Sequence, residues 1–130
     1  MADNRQMAWP AVALSTRDDT LHLSIAAATA KIARSPHRFT VLFERGDFSM
    51  ELFAPRDRDS QTPYGQDEIY IVMSGTGIFR RGSDTVTFSP GDMLFAAAGV
   101  DHRFESFSED FLAWIIFFGP IGGYGEVASN

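Results

Sequence analysis

The segmentation of the chain after Pro36 is the sequence feature that most restricts its fold. Short apolar stretches follow one another there, and Gly, Pro and Asp residues separate them. Such punctuation is typical of the strands of a β-sandwich or barrel. The pattern predicts eight strands, near residues 39–44, 48–54, 68–73, 77–81, 85–89, 93–97, 102–106 and 111–118. We therefore expect an all-β fold, because eight strands are enough to close a small barrel or double sheet.

Residues 21–34 carry the one convincing helical pattern. The predicted apolar face of this helix consists of Leu21, Ile25, Ala28 and Ile32. Pro36 ends it, and three residues are available as its N-cap: Asp18, Asp19 and Thr20. A chain of 130 residues is long enough for a single core. We expect a helical segment over residues 1–36 that packs on a barrel over residues 37–130.

The composition excludes several classes of function. The chain has no Cys, so disulfides, thiolate nucleophiles and the usual structural zinc sites are ruled out. Its 17 acidic and 11 basic residues give a formal net charge of −6, which argues against a nucleic-acid partner and against an anionic membrane surface. No apolar run approaches the ~20 residues of a membrane-spanning helix. We expect a cytoplasmic protein.

The last predicted strand, residues 111–118, is apolar on both faces. A strand with one face in water would alternate apolar and polar residues, so we expect both faces to be covered. The N-terminal helix of a monomer and a second subunit are both compatible with this pattern. We favour a homodimer.

Two stretches of the predicted barrel resemble the conserved motifs of the cupins. Residues 67–77 resemble the first motif, with Glu68 and Gly75 at its fixed spacing, and residues 89–102 resemble the second, with Gly91, Gly99 and His102 in register. Two motifs in the right order make a specific signal. The resemblance, to small single-domain bacterial cupins of the cupin-2 type, implies a double-stranded β-helix (jelly-roll) barrel. It also implies a divalent metal in the barrel mouth, held by three His and one Glu.

The chain departs from this ligand set. The two positions where the first motif has His are occupied, depending on the register, by Thr62 and Tyr64 or by Gln61 and Pro63. Glu68 and His102 are the implied ligands that remain, while Gln61 and Tyr64 could add oxygen ligands for Fe, Mn, Ni or Zn. Because two imidazoles are missing, we expect weak or absent metal binding.

A ligand pocket is expected in the barrel mouth. Its candidate catalytic residues are Glu68, His102 and Tyr64. Strand parity predicts pocket walls formed by Tyr70, Val72 and Phe104. The last strand completes one wall either with Trp114 and Phe118 or with Phe117 and Phe111, and Trp114 is the residue we name for the pocket. Apolar walls with a few polar anchors are typical of sites for small molecules, and the 12 Phe of the chain fit such an interior.

Two functions remain open at this point. In the first, the barrel binds a small organic molecule, and His102 and Glu68 can exchange protons with it. In the second, which the resemblance implies, the protein is a metal-dependent dioxygenase or isomerase with Glu68, His102 and either Tyr64 or Gln61 as ligands.

Overall fold

The computed structural model describes residues 17–59 and 64–125. Within them the chain forms one α-helix and eight strands, and every strand pairing is antiparallel. The elements are α1 (Ile25–Ala33), β1 (Phe39–Arg45), β2 (Phe48–Phe53), β3 (Asp67–Ser74), β4 (Gly77–Arg81), β5 (Asp84–Phe88), β6 (Met93–Ala96), β7 (His102–Phe107) and β8 (Leu112–Phe118). The eight predicted strands are confirmed, each end within one residue.

The strands form the two sheets of a jelly roll. One sheet has five strands in the order β1-β2-β8-β3-β6, and the other has three in the order β5-β4-β7. The turn from β3 to β4 requires Gly75, which has a φ of +87°. A Cβ there would lie 2.6 Å from Cα of Phe111, so a larger residue would strain the backbone and collide with the residue that precedes β8.

The helix begins later than the sequence predicts. Its N-cap is Ser24, whose hydroxyl accepts a hydrogen bond from the Ala27 amide at 3.0 Å. Asp18 instead accepts a hydrogen bond from the Thr20 amide, and its carbonyl accepts one from the guanidinium of Arg45. The predicted start at residue 21 and the three predicted caps are therefore wrong, because Asp18, to which Thr20 donates, joins the chain to β1 instead of capping a helix. The helix packs on β1 and β2.

The core between the two sheets is aromatic. Six of the twelve Phe are buried in it, namely Phe53, Phe79, Phe88, Phe104, Phe111 and Phe117. Phe104 lies at its centre, with ring centroids 4.7 Å from Phe111, 4.9 Å from Phe79 and 5.0 Å from Tyr70. Burying one such side chain contributes roughly 2–3 kcal/mol. The interior of the barrel thus accounts for half of the Phe residues.

Strand β8 separates two apolar faces. Its interior side carries Ala113, Ile115 and Phe117, which are all buried. Its outer side includes Trp114 and Ile116, which are partly exposed. Among the described residues, no helix has the length and apolar character needed to span a membrane.

Candidate functional site

Glu68 and His102 meet inside the barrel although they belong to different sheets. Glu68 points inward from β3, and His102 is the first residue of β7. The side chains are each 1% exposed, and Nε2 of His102 lies 3.4 Å from Oε2 of Glu68. This contact therefore links the two sheets in the buried interior of the barrel.

Two further contacts fix the imidazole ring. Nδ1 of His102 lies 2.8 Å from the carbonyl oxygen of Val100, which can only accept, so Nδ1 carries a proton and donates it. Nε2 lies 3.1 Å from the hydroxyl of Tyr70. Tyr70 follows Glu68 by two residues on β3 and so faces the same side. The ring is held with Nε2 directed at Tyr70 and Glu68.

The surroundings of His102 favour its protonated form. Burial by itself would lower the pKa of the imidazole, but Glu68, the Val100 carbonyl and the charge of Asp59 together outweigh burial and raise the pKa above its ordinary value. The raised pKa favours an imidazolium paired with the carboxylate of Glu68.

One oxygen of Glu68 has no donor. Oε1 is buried, and no group in the described part of the chain donates a hydrogen bond to it. A buried carboxylate oxygen left unpaired is energetically unfavourable, and native proteins rarely keep one without a reason. Oε1 is thus a strong acceptor for a hydroxyl or amine that reaches the site.

The structure places Tyr64 next to this pair through Phe117. The ring centroids of Tyr64 and Phe117 lie 4.2 Å apart, and Phe117 is the register partner of Glu68 on β8. The carbonyl of Tyr64 accepts a hydrogen bond from the Gly99 amide at 2.8 Å, which fixes the loop at this point. Three of the four predicted polar residues thus belong to one end of the barrel. The fourth, Gln61, lies outside the described residues.

The predicted pocket walls lie inside the barrel, with one exception. Tyr70, Val72 and Phe104 are 0%, 1% and 1% exposed and belong to the aromatic core. Trp114 lies on the opposite face of β8, in register with Leu52 and Ile71. Its predicted place in the pocket is wrong, because strand alternation turns its neighbours Ala113 and Ile115 inward.

Asp59 was not predicted as a site residue. It is 1% exposed, and its Oδ2 accepts a hydrogen bond from the Phe104 amide at 2.9 Å. Its carbonyl accepts one from the guanidinium of Arg103 at 3.2 Å. Asp59 therefore fastens the loop after β2 to β7 beside His102. In the sequence it is one of several polar residues in that loop, and no pattern distinguishes it.

The described residues do not complete the metal site that the cupin resemblance implies. Among them, no group of three or more His, Cys, Asp or Glu side chains is placed to hold a metal ion. Glu68 and His102 supply two donors, and Nε2 of His102 is directed at Glu68 and Tyr70. This donor set does not fit a cupin metal centre.

Comparisons with known proteins agree on the type of domain. The family model for the cupin domain (Cupin_2) matches residues 49–118. An uncharacterized protein of Streptomyces coelicolor is 39% identical over 62 residues, which are 48% of this chain and 59% of that protein. This chain thus matches less than two thirds of the length of that relative.

Solved structures show the same fold. A cupin superfamily protein of Desulfitobacterium hafniense aligns with a TM-score of 0.55 at 18% identity, covering 75% of this chain and 92% of that one. A protein of unknown function from Rhizobium leguminosarum aligns with a TM-score of 0.58 at 21% identity, covering 78% of this chain and 98% of that one. Identities this low support the fold alone.

Proposed function

The chain belongs to the cupin domain family, and from this premise we propose that its barrel binds a small organic molecule at Glu68 and His102 without a metal ion. The observation that carries the proposal is Oε1 of Glu68, a buried carboxylate oxygen to which none of the described residues donates a hydrogen bond. A ligand that donates a hydrogen bond to Oε1 supplies the donor that this oxygen lacks among the described residues. A ligand carboxylate in the same place would be repelled.

Each group of the site has a distinct part in the proposed complex. Oε1 of Glu68 accepts a hydrogen bond from the ligand's hydroxyl or amine. His102 holds the Glu68 carboxylate in place through Nε2, and the hydroxyl of Tyr70 in turn contacts Nε2 of His102. The rings of Tyr64 and Phe117, which contact each other at an angle of 47°, offer an apolar wall to the body of the ligand.

The contribution of Glu68 to affinity follows from the charge on the acceptor. Hydrogen bonds to charged groups are worth about 1.5–3 kcal/mol. This corresponds to a loss of about 10- to 100-fold in affinity when the acceptor is removed, because each 1.4 kcal/mol is a factor of ten. A difference in affinity of this size is large enough to distinguish, by a binding measurement, ligands that differ in a single functional group.

The test compares three probes with the same ring and different polar groups, by ligand-observed NMR. Cyclohexanol and cyclohexylamine are expected to bind, and cyclohexanecarboxylate is expected not to. In Glu68→Gln the amine should lose at least about tenfold in affinity, since the neutral side chain no longer attracts its charge. Equal binding of all three probes, or of the amine to both proteins, would contradict the proposal.

Glu105→Gln is the matched control. Glu105 is also on a strand, but its side chain is 42% exposed and pairs with Arg80 at the surface. Its substitution removes the same charge from the chain without touching the interior. Probe affinities should therefore equal those of the unmodified protein.

A further inference from the structure

We propose that a groove between the two sheets is a second binding site, which takes a free α-amino acid with an apolar side chain. Residues of β5 and β6 line this groove, and each of these strands is an edge strand of its sheet. The groove has a volume of about 230 Å³. Sites for drug-sized ligands begin at about 300 Å³, so the groove suits a molecule of about the size of one amino acid.

The inner face of the three-stranded sheet is left open along β5. Val86 is the register partner of Phe79 on β4, so both side chains point to the same side of the sheet. Phe79 is 4% exposed, whereas Val86 is 49% exposed. Residues on the inner faces of two packed sheets are normally buried. In the described part of the chain, Val86 therefore lacks the cover that a ligand in the groove would supply.

The apolar part of the groove is closed on the side of the core. Phe79 and Leu94 are both buried and both lie beside Tyr70. The ring centroids of Phe79 and Tyr70 are 5.7 Å apart, and Leu94 is the register partner of Tyr70. Glu68 and His102 are not among the described residues that line the groove. The groove is thus a different site from the interior pair. Five apolar residues line it, namely Phe79, Val86, Met93, Leu94 and Phe95.

Two opposite charges lie at one end of the groove. Arg81 and Asp84 line it and are register partners, at the end of β4 and at the start of β5. The guanidinium of Arg81 donates a hydrogen bond to the carbonyl of Phe95 on β6 at 3.1 Å, which holds it across the gap between the sheets. Within the described residues, Arg81 and Asp84 form no ion pair with each other. Each charge is therefore available to a ligand.

The head group of an α-amino acid matches these two charges. Its carboxylate fits the forked donors of a guanidinium, and its ammonium group can pair with the carboxylate of Asp84. Register partners on antiparallel strands lie about 4.5–5.5 Å apart, so one small head group can reach both residues. A zwitterion also has no net charge. The formal net charge of −6 on the chain therefore does not repel it, as it would repel an anion.

The exposure of the two charges predicts weak but selective binding. Arg81 and Asp84 are both exposed, and ion pairs in exposed positions contribute little to affinity. For a ligand of this size we expect a dissociation constant of roughly 1 mM or weaker. The order of affinities among related ligands is therefore a better sign of the site than the affinity of any one of them.

Two-dimensional NMR of the protein titrated with L-phenylalanine tests the proposal. The amide resonances of Val86 and Leu94 should shift and saturate. Three related probes each lack one part of the ligand: phenethylamine has no carboxylate, 3-phenylpropionate has no ammonium group, and glycine has no apolar side chain. Each should bind at least about threefold more weakly than phenylalanine.

Substitution of the two charged residues should weaken binding. Arg81→Gln and Asp84→Asn are each expected to reduce the affinity for phenylalanine by at least about threefold. The matched controls are Arg38→Gln and Asp19→Asn, which remove the same charges at exposed positions outside the groove. These two control variants should bind phenylalanine as the unmodified protein does. Far-UV circular dichroism checks that all four variants are folded.

A second pair of variants tests the apolar part of the groove. Val86→Gln places an amide there and should weaken the binding of phenylalanine. Ile78→Gln alters a residue that is 38% exposed on the outer face of the same sheet, and it should not.

Four results would overturn the proposal. The first is glycine that binds as well as phenylalanine, and the second is binding of phenylalanine that Arg81→Gln and Asp84→Asn both leave unchanged. The third is binding that is lost in Glu68→Gln, because the ligand would then occupy the interior pair. The fourth is the absence of saturable shifts at Val86 and Leu94 up to about 20 mM phenylalanine.

Discussion

Nε2 of His102 lies 3.4 Å from Oε2 of Glu68, and this pair joins the two sheets of the barrel at its interior. The second oxygen of the same carboxylate, Oε1, is buried without a donor in the described part of the chain. Within the one carboxylate, Oε2 therefore contacts His102, while Oε1 remains available to accept a hydrogen bond from a ligand.

The titration of His102 should depend on Glu68. With Glu68 present, the pKa of the imidazole lies above its ordinary value. In Glu68→Gln, burial of the ring remains while the neighbouring charge is gone, so the pKa should fall. The measurement is the pH dependence of the His102 ring resonances by NMR in both proteins. An unchanged titration curve would show that Glu68 does not set the protonation of His102.

The stability of the protein should fall as the pH rises above neutrality. Because the pKa of His102 is higher in the folded chain, its contribution is complete below the unfolded value of about 6.5 and disappears as the pH passes the folded value. Urea unfolding at a series of pH values from about 6 to 9 measures this. His102→Ala should lack this component of the pH dependence. If both proteins lose stability equally over this range, the component does not belong to His102.

Asp59 should stabilise the loop through its acceptor oxygen. Asp59→Ala leaves the buried amide of Phe104 without a partner, which is expected to reduce the free energy of unfolding by about 1–3 kcal/mol. Asp59→Asn keeps an oxygen in the same place and should lose less. Urea denaturation of the three proteins measures the difference. Equal losses in the two variants would mean that the hydrogen bond to Phe104 is not what stabilises the loop.

Restoring one imidazole tests whether Tyr64 faces the site. Tyr64 occupies a position where one register of the first cupin motif has a His. In Tyr64→His a third donor joins Glu68 and His102, so affinity for Ni²⁺ or Zn²⁺ should rise by about tenfold or more. Isothermal titration with each metal measures this. Unchanged affinity would mean that residue 64 is not directed at Glu68 and His102.

The sequence predicts the strands well because their punctuation is local. The sequence does not show which face of β8 carries Trp114, because both faces of the strand are apolar and the alternation of side chains does not indicate which one points into the barrel. The helix start was missed because Asp18 and Thr20 bond to each other and Asp18 also bonds to Arg45, a long-range contact. The role of Asp59 could not be predicted because its hydrogen-bond partner, the amide of Phe104, is 45 residues away in the chain. Glu68 and His102 were found through the motif resemblance, whereas the vacant Oε1 could be seen only in three dimensions.

The metal content of the purified protein shows directly whether Glu68 and His102 hold a metal ion. Protein prepared without chelator should contain no stoichiometric metal by elemental analysis, and incubation with excess Fe, Mn, Ni or Zn salts should not change this. About one metal ion per chain that is lost in both Glu68→Ala and His102→Ala would contradict a metal-free site, because those residues would then be metal ligands.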